Sequence, residues 1–424
     1  MERIKIPYHN GFQEVEIPRK NIAAFLKPKA GDCLPQLTES DIVARALDNP
    51  VGSEGLEKLV VGKENMVIIT SDHTRPMPSK VTMPILLGRI RRANPDIAIT
   101  ILVATGYHRS PTREEITTRF GSDIVENEKI VIHDCKDSDS MVHVGVLPSG
   151  GDLLLNKVAL DTELLIAEGF IEPHFFAGFS GGRKSVLPGI ASEETVMANH
   201  CAEFIANENA RTGVLDNNPI HRDMLYAAQR AGLSFILNVV LDGKKRIINA
   251  FAGDSERAHV KGCNYVMELS QVNPVKADIV ISSNGGYPLD QNVYQAVKGI
   301  TSAEATCKKD GVIIMVAGCC DGHGGQSFYD NLKKAQSPQV LLDEIRKVPS
   351  KETQPDQWQF QILARVLKKH PVIFVTDMCD PQLIRDMKMD HAHTLEEAVQ
   401  KAFRIKGKEA KITVIPDGVA VIVN

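Results

Sequence analysis

The chain has 424 residues and a formal net charge of −4, from 49 Lys and Arg against 53 Asp and Glu. This length allows two or three domains, each with its own core. The balance of charge leaves no cationic field for nucleic acid or a membrane surface, so neither is an expected partner. The amino terminus lacks the apolar stretch of a signal peptide, and the eight cysteines include no C-x-x-C pair. We therefore expect a cytoplasmic protein with reduced thiols.

Short runs rich in isoleucine and valine predict strands, each followed by a polar loop and an amphipathic stretch. A first series comprises Met66 to Thr70, Ile97 to Ala104, Ile130 to Asp134 and Leu164 to Ala167. A second series comprises Asp278 to Ser282, Gly311 to Ala317, Val372 to Thr376 and Ile412 to Ile415. Helices are predicted between the strands of the second series, at Leu289 to Cys307, Gln357 to Lys369 and Leu395 to Ile405.

This alternation of strands and helices predicts an α/β fold of two domains, each a mostly parallel sheet with helices on both faces. Gln271, Asn273 and Pro274 interrupt the pattern and mark the boundary. We predict an N-terminal α/β domain over 1–273 and a C-terminal α/β domain over 274–408. Residues 409–424 would form a terminal strand that could return to the N-terminal domain.

Ligands gather at the carboxyl ends of parallel strands, where loops vary freely and helix N-termini offer unpaired N–H groups. The loops at those ends are Ser71 to Pro76, Thr105 to Arg109, Gly169 to Gly189, Asn284 to Pro288 and Gly318 to Gly325. They hold four of the 13 histidines, which are His73, His108, His174 and His323. Such a grouping is typical of an acid/base or metal site.

The densest segment, His174 to Gly189, comes close to two known motifs. It matches G-x-S-x-G around Ser180, but Pro188 would break the helix that a serine nucleophile elbow requires. It also approaches a P-loop, except that Arg183 replaces the last glycine. What remains is a glycine-rich turn with adjacent cations, Arg183 and Lys184. This turn suits a phosphate or a covalent attachment through the lysine amine, with a solvated basic turn as the alternative.

His200 is predicted to lie on the inward face of a helix that begins at Ser192, between Val196 and Phe204. An inward histidine is more often a hydrogen-bonded core residue than a metal ligand, and only a nearby cofactor reverses that expectation.

His108 and His174 follow separate predicted strands. Two bases on opposite faces of one substrate would suit inversion of a stereocentre. Dinucleotide binding is not indicated, because the nearest text to G-x-G-x-x-G, Gly322 to Ser327, lacks its third glycine.

Arg75 could hold a carboxylate with its planar fork, and a salt bridge to Asp72 is the alternative. Tyr294, Gln295 and Lys298 share one face of a predicted helix, so they could reach one ligand. A solvated helix face explains those three residues equally well.

Five segments together resemble the nickel-pincer lactate racemase family, and the resemblance covers essentially the whole chain. They are Ser71 to Pro76, Ala104 to Arg109, Glu168 to Gly189, Ala198 to His200 and Asn284 to Gly299. The resemblance implies two α/β domains with the active site in the cleft between them. It also implies interconversion of D- and L-lactate by reversible hydride transfer, through pyruvate, whose planar carbon has lost its chirality.

The implied cofactor is a nickel-pincer nucleotide, a nickel complex of pyridinium-3-thioamide-5-thiocarboxylic acid mononucleotide, attached covalently to Lys184. His200 matches the family's nickel ligand, and His108 and His174 match its catalytic acid/base pair. The implied substrate contacts are Arg75, Tyr294, Gln295 and Lys298. The implied cofactor contacts are Asp72, His73, Thr74, Arg75, Lys184, His200, Gln295, Lys298 and Trp358. Cofactor-biosynthesis proteins would be needed for maturation.

Three alternatives stay open. The substrate could be another 2-hydroxy acid, because relatives of similar pattern act on such acids. A serine hydrolase would use Ser180 and need no nickel. A non-catalytic nickel-binding protein would carry the metal without turning over a hydroxy acid.

Overall fold

The structure, a computed structural model, describes residues 1–29 and 36–424. In this part of the chain the strands are β1 (Glu2–Tyr8), β2 (Gly11–Ile17), β3 (Ile22–Phe25), β4 (Asn65–Ser71), β5 (Ala98–Ala104), β6 (Lys129–Ile132), β7 (Met141–Val146), β8 (Asp152–Asn156), β9 (Leu165–Phe170), β10 (Pro173–His174), β11 (Gly178–Phe179), β12 (Leu233–Leu241), β13 (Ile247–Asp254), β14 (Gln271–Val272), β15 (Ala277–Ser283), β16 (Cys307–Val316), β17 (Val372–Val375), β18 (Asp390–Ala392), β19 (Ile412–Ile415) and β20 (Ile422–Val423).

The α-helices of the same residues are α1 (Glu39–Asp48), α2 (Leu56–Val60), α3 (Ser79–Ala93), α4 (Arg113–Phe120), α5 (Ser122–Asn127), α6 (Lys157–Leu160), α7 (Glu193–Asn199), α8 (Ala202–Ala206), α9 (Pro219–Arg230), α10 (Arg257–Ser270), α11 (Val293–Thr306), α12 (Gln326–Lys334), α13 (Pro338–Ile345), α14 (Gln357–Leu367), α15 (Pro381–Asp386) and α16 (Leu395–Lys406). Short 3₁₀ helices lie at Arg19–Asn21, Ser138–Ser140, Gly182–Ser185 and Ser350–Glu352.

The chain forms two compact units. The N-terminal unit comprises Lys29–Asn199 and Asn207–Leu269, and the C-terminal unit comprises Met1–Pro28, His200–Ala206 and Ser270–Asn424. The prediction of a two-domain α/β fold is confirmed.

The sheet of the N-terminal unit has the strand order β13-β12-β9-β4-β5-β6. Its neighbours pair in parallel, except β12 and β13, which are antiparallel. The middle of β4, Met66 to Thr70, is fully buried, as expected for a central strand with helices on both faces. Because β4, β5 and β9 are neighbours and parallel, the loops that follow them meet at one edge of the sheet.

The sheet of the C-terminal unit has the order β18-β17-β16-β15-β19-β3 and is parallel throughout. Its apolar core includes Ile281, Ile314 and Ile373. Helix α11 begins after Asn292, whose side chain accepts a hydrogen bond from the backbone N–H of Gln295 over 3.0 Å. Such an N-cap fixes where a helix starts, and here it fixes the position of the polar residues in the first turns of α11.

The compact units differ from the predicted domain ranges. Met1–Pro28 joins the C-terminal unit because β3 pairs with β19. His200–Ala206 joins it as well, and the side-chain amide of Gln361 donates to the carbonyl of Ala202 over 2.8 Å. The terminal strand, Ile412–Ile415, pairs with β15 and β3 instead of returning to the N-terminal domain.

Within residues 1–29 and 36–424, every helix is too short or too polar to cross a membrane. The seven cysteines in these ranges are free thiols, and Cys33 lies outside the described residues.

Candidate functional site

The loop after β4 joins His108 to a buried carboxylate. Asp72 is 1% exposed, and its Oδ2 lies 2.7 Å from Nδ1 of His108, which follows β5. Burial alone would raise the pKa of Asp72. The hydrogen bond and charge of His108, with the charge of Arg75 and a hydrogen bond from Thr74, outweigh burial and lower the pKa to about 2. Asp72 is therefore ionised at neutral pH and occupies Nδ1, which leaves Nε2 of His108 to exchange a proton.

Thr74 connects Arg75 to this pair. Its hydroxyl donates to Oδ1 of Asp72 over 2.6 Å and accepts a hydrogen bond from Nη1 of Arg75 over 2.9 Å. The alternative, a salt bridge between Arg75 and Asp72, is wrong, because the carboxylate binds His108 and Thr74 instead. The guanidinium still influences the carboxylate through its charge.

Arg119, which the sequence analysis did not single out, holds the backbone of the same loop. From the last turn of α4 it donates to the carbonyl oxygens of Met77, over 3.2 Å, and Arg75, over 2.6 Å, and also to that of Asp72. Nothing in the sequence distinguishes Arg119 from a solvated arginine at a helix end. Only the fold shows that it determines the path of the loop.

Two polar atoms of this loop are buried without a hydrogen-bond partner, Nδ1 of His73 and the hydroxyl oxygen of Ser71. Burial lowers the pKa of His73, although its Nε2 lies 3.8 Å from a carboxylate oxygen of Glu115. A neutral imidazole with an unsatisfied buried nitrogen is a suitable partner for a polar ligand.

The second loop brings His174 and Lys184 side by side. His174 lies in β10, and its Nδ1 accepts a hydrogen bond from the backbone N–H of Ala177 over 3.2 Å. Its Nε2 lies 3.5 Å from Nζ of Lys184. Nζ also lies 5.8 Å from the ring centroid of Phe176. Both side chains are half-buried, so the amine is presented at the site in a defined position.

Arg183 points the other way from Lys184. It is 2% exposed and donates to the carbonyl oxygens of Phe179, over 2.8 Å, and Ala177, over 2.7 Å. The 3₁₀ turn at Gly182–Ser185 directs the two neighbouring side chains apart, so the alternative of a solvated basic turn does not hold for the buried Arg183. Lys184 lies beside His174 and Phe176 instead.

Ser180 has a structural role in the same loop. Its hydroxyl donates to the carbonyl of Phe170 over 3.0 Å and accepts from the backbone N–H of Glu172 over 2.9 Å. A 3₁₀ turn follows it in place of the α-helix that a nucleophile elbow requires.

His200 lies in the junction between α7 and α8. The predicted helix running to Phe204 is wrong, because α7 ends at Asn199, whose side chain donates to the carbonyl of Ile220 over 3.3 Å. His200 is 4% exposed, and its ring centroid lies 4.9 Å from that of Trp358. The structure thus brings together two of the residues that were assigned to the cofactor.

Trp358 in turn contacts α11. Its Nε1 donates to the hydroxyl of Tyr294 over 2.9 Å. Gln295 and Lys298 are half-buried on the same helix. Tyr294 therefore supports Trp358, while Gln295 and Lys298 are the polar side chains of α11 that remain candidates for a ligand.

Each unit, taken by itself, holds residues whose chemistry fits the implied nickel-pincer nucleotide. Within the described ranges, no cluster of three or more His, Cys, Asp or Glu is arranged to hold a metal ion. This agrees with the implied group, in which the protein supplies one ligand to the nickel. His200 offers a buried imidazole, and Lys184 offers a positioned amine. The unpartnered Nδ1 of His73 offers a further polar contact.

The chain is thus an α/β protein of two units, with His108 and His174 in loops that follow strands of the N-terminal sheet. Family models describe residues 8–213 as the lactate racemase N-terminal domain and residues 272–423 as the lactate racemase C-terminal domain. The chain belongs to the lactate racemase family, and the prediction of an isomerase is confirmed.

Two curated relatives match over the full length of both chains. The lactate racemase of Thermoanaerobacterium thermosaccharolyticum is 55% identical over 424 residues, and that of Lactiplantibacillus plantarum is 56% identical over 424 residues. The structure of the Thermoanaerobacterium lactate racemase apoprotein superimposes with a TM-score of 0.97, covering 100% of each chain. A crystal structure of a Thermotoga maritima protein, 18% identical, covers 92% of this chain and 99% of its own with a TM-score of 0.66, which shows the shared fold.

Proposed function

We propose that this protein interconverts D- and L-lactate, with a nickel-pincer nucleotide as its cofactor. Full-length identity of 55% and 56% to two lactate racemases supports the substrate. The observation that carries the chemistry is the pair of histidine loops at one edge of the N-terminal sheet, each with a different partner on Nδ1.

Lys184 and His200 would hold the cofactor, the first through a covalent bond from its amine and the second as the protein ligand to nickel. The chemistry supplied by the bound group would be reversible hydride transfer, through which the substrate carbon becomes planar, as in pyruvate, and loses its chirality. Trp358 would pack beside the metal ligand, and Asp72, His73 and Thr74 would line the loop that faces the cofactor.

His108 and His174 would handle the hydroxyl proton. One histidine accepts that proton from one enantiomer, and the other accepts it from the opposite enantiomer. For His108 the exchanging atom would be Nε2, because Nδ1 is engaged by Asp72. Nδ1 of His174 accepts the N–H of Ala177, so the neutral ring carries its proton on Nε2 and would take up a second proton only by giving up that N–H contact. The second histidine would supply the proton of the newly formed hydroxyl group.

Arg75 would hold the substrate carboxylate. Its guanidinium offers several N–H groups in one plane, and a single donation to Thr74 Oγ1 leaves donors for a bidentate contact. Gln295 and Lys298 would supply polar contacts from α11, with Tyr294 behind them. Every 2-hydroxy acid carries this carboxylate, so the recognition that Arg75 provides is common to lactate and to its homologues.

Maturation would depend on cofactor-biosynthesis proteins, and we place the protein in the cytoplasm. The purified, unmatured chain should therefore be inactive.

The test is chiral chromatography of L-lactate incubated with nickel-loaded, matured protein. D-lactate should accumulate without added nicotinamide, and the intact mass should show an adduct. Lys184→Ala should lose the adduct, whereas His200→Ala should lose nickel. Lys58→Ala, which changes a surface lysine paired with Glu54, should keep both. If only another 2-hydroxy acid is racemised, lactate is the wrong substrate. If the active protein carries no adduct, the cofactor is wrong.

A further inference from the structure

Arg183 is a buried cation with an unusual set of partners. Its Nη1 donates to the carbonyl of Phe179 over 2.8 Å and lies 3.3 Å from that of Gly181, and its Nη2 donates to that of Ala177 over 2.7 Å. Its Nε donates to Nδ1 of His221 over 3.0 Å. A buried charge is costly unless its donors are satisfied, and here uncharged oxygen and nitrogen atoms satisfy them.

His221 and His259 suit this role because they are neutral. Burial, followed by the charge of Arg183, lowers the pKa of His221 to about 3 and holds the pKa of His259 well below its usual value. Nε2 of His259 lies 3.0 Å from Nη1 of Arg183 and 2.9 Å from the carbonyl of Ser180. In either tautomer the ring adds no second positive charge. Cys263, packed against His259 at 3.4 Å, completes the cluster.

The same turn is closely packed at its glycines. Gly181 has φ 76°, and a Cβ there would lie 2.6 Å from Oδ1 of Asn238. Gly182 has φ 52°, and a Cβ there would lie 2.6 Å from the ring of His259. Both contacts are far shorter than real Cβ atoms tolerate, so the backbone path between β11 and Lys184 has little freedom to change.

We propose that Arg183 is a positioning residue, which gathers the carbonyls of Ala177, Phe179 and Gly181 and thereby fixes the amine of Lys184 beside His174. The carbonyl of Ala177 belongs to the residue whose N–H binds Nδ1 of His174, so one guanidinium holds both functional side chains of this loop. The consequence of this positioning, attachment of the cofactor to Lys184, rests on the proposed function. The positioning itself does not depend on it.

The first experiment measures positioning on the chain without cofactor. An acylating amine reagent is applied to the apoprotein, and the labelling rate of Lys184 is read by peptide mass mapping. Arg183→Lys keeps the charge but cannot reach three carbonyls, so the amine should be released and label about threefold faster or more. Arg89→Lys is the matched control, since Arg89 is also a largely buried arginine of this unit. It should lower the melting temperature without changing the labelling of Lys184.

A milder pair of variants keeps the test decisive if Arg183→Lys does not fold. His221→Leu removes the acceptor of Nε, and His221→Gln restores one. The first should speed labelling of Lys184 in the same direction as Arg183→Lys, and the second should bring it back toward the original rate. Equal labelling in the original protein and in both His221 variants would overturn the proposal.

The second experiment measures the Lys184 adduct after maturation. Because small displacements of reacting groups cost up to about 10²-fold in rate, Arg183→Lys should accumulate the adduct far more slowly than Arg89→Lys. Normal loading of Arg183→Lys with a changed labelling rate would overturn the consequence for attachment. If the original protein never gains an adduct, the proposed function fails, and the labelling experiment still decides whether Arg183 positions the amine.

Discussion

The two histidine loops of the N-terminal unit achieve similar placement by different means. In the first loop, Nδ1 of His108 faces the buried carboxylate of Asp72 at 2.7 Å, and in the second, Nδ1 of His174 accepts a backbone N–H at 3.2 Å. A carboxylate accepts an N–H from the ring, so Nδ1 of His108 is the donor, whereas a backbone N–H needs a lone pair, so Nδ1 of His174 is the acceptor. His108 and His174, which are proposed to act on opposite enantiomers, therefore differ in their hydrogen bonding.

Each loop is also held by an arginine that donates to three main-chain carbonyls. Arg119 reaches the first loop from a separate helix, α4, whereas Arg183 lies within the loop that it holds. The first arrangement couples the loop to α4. The second couples the shape of the loop directly to the neighbouring Lys184.

The largest expected effect comes from removing either ring. His108→Ala and His174→Ala should each lower kcat/KM for racemisation by about 10²- to 10⁴-fold, the usual contribution of a general acid/base group. Since the enantiomers are equal in free energy, kcat/KM must fall equally in both directions for each variant. The inequality of the two loops should appear in kcat and KM taken separately, and in their pH profiles.

Both variants should keep nickel and the Lys184 adduct, as measured by metal analysis and intact mass. A variant with nearly normal activity, or one that is inactive only because the metal is lost, would show that its histidine has another role.

The next effect tests the carboxylate that distinguishes the first loop. Asp72→Asn keeps the size of the side chain and removes its charge, so Nδ1 of His108 should lose its carboxylate partner and the ring its fixed orientation. We expect kcat/KM to fall about 10- to 100-fold, comparable to the loss of a group that orients a functional histidine. The Asp72→Glu variant is the charged control. If kcat/KM falls no more in Asp72→Asn than in Asp72→Glu, the charge of Asp72 does not contribute to the rate.

Asp72→Asn should also change stability in a pH-dependent manner. The folded pKa of about 2 lies below the ordinary value of 3.8, so ionised Asp72 stabilises the fold above about pH 4. That contribution, about 2 kcal/mol, is lost as the pH falls through about 2. Urea unfolding of both proteins should show a difference at pH 6 that narrows toward pH 3. A constant difference would place the effect in packing rather than charge.

The position of the first loop could be predicted from the sequence, but the contacts between its side chains could not. The prediction of a strand at Met66 to Thr70 is confirmed by β4, because a continuous apolar run is typical of a central parallel strand. The contact of Asp72 with His108 could not be predicted, because the residues lie 36 positions apart and meet only through the pairing of β4 with β5. The sequence placed both at strand ends without showing which side chains touch.

The second loop shows the opposite limit. Arg183 and Lys184 are adjacent cations, and the sequence does not show that the 3₁₀ turn directs the first inward and the second toward His174. His200 was likewise placed inside a helix that stops one residue earlier. The local sequence shows which residues are present. The direction of each side chain depends on backbone geometry, which distant residues such as Asn238 help to determine by hydrogen bonding to the turn.

A smaller effect tests the arginine that holds the first loop from outside. Arg119→Lys cannot reach the carbonyls of Asp72, Arg75 and Met77 together. We expect the free energy of unfolding to drop by about 1 to 3 kcal/mol, since buried carbonyls lose their donors. The KM for lactate should rise more than kcat falls, because the loop carries Arg75. Unchanged KM with a lower kcat would point to His108 rather than Arg75 as the group that the loop aligns.

The smallest effect separates the racemase from a serine hydrolase. The hydroxyl of Ser180 donates to the carbonyl of Phe170 and accepts from the N–H of Glu172, so Ser180→Ala should cost about 1 kcal/mol of stability. Racemisation should stay within about threefold of the original rate, because the glycines and Arg183 still hold the turn. Kinetics and a melting curve on the same matured preparation check this, with Ser140→Ala as a surface control. A loss of activity as large as that of His174→Ala, together with labelling of Ser180 by an active-serine reagent, would show that the second loop carries a nucleophile. Ser180, and not His174, would then be the reacting group of the second loop.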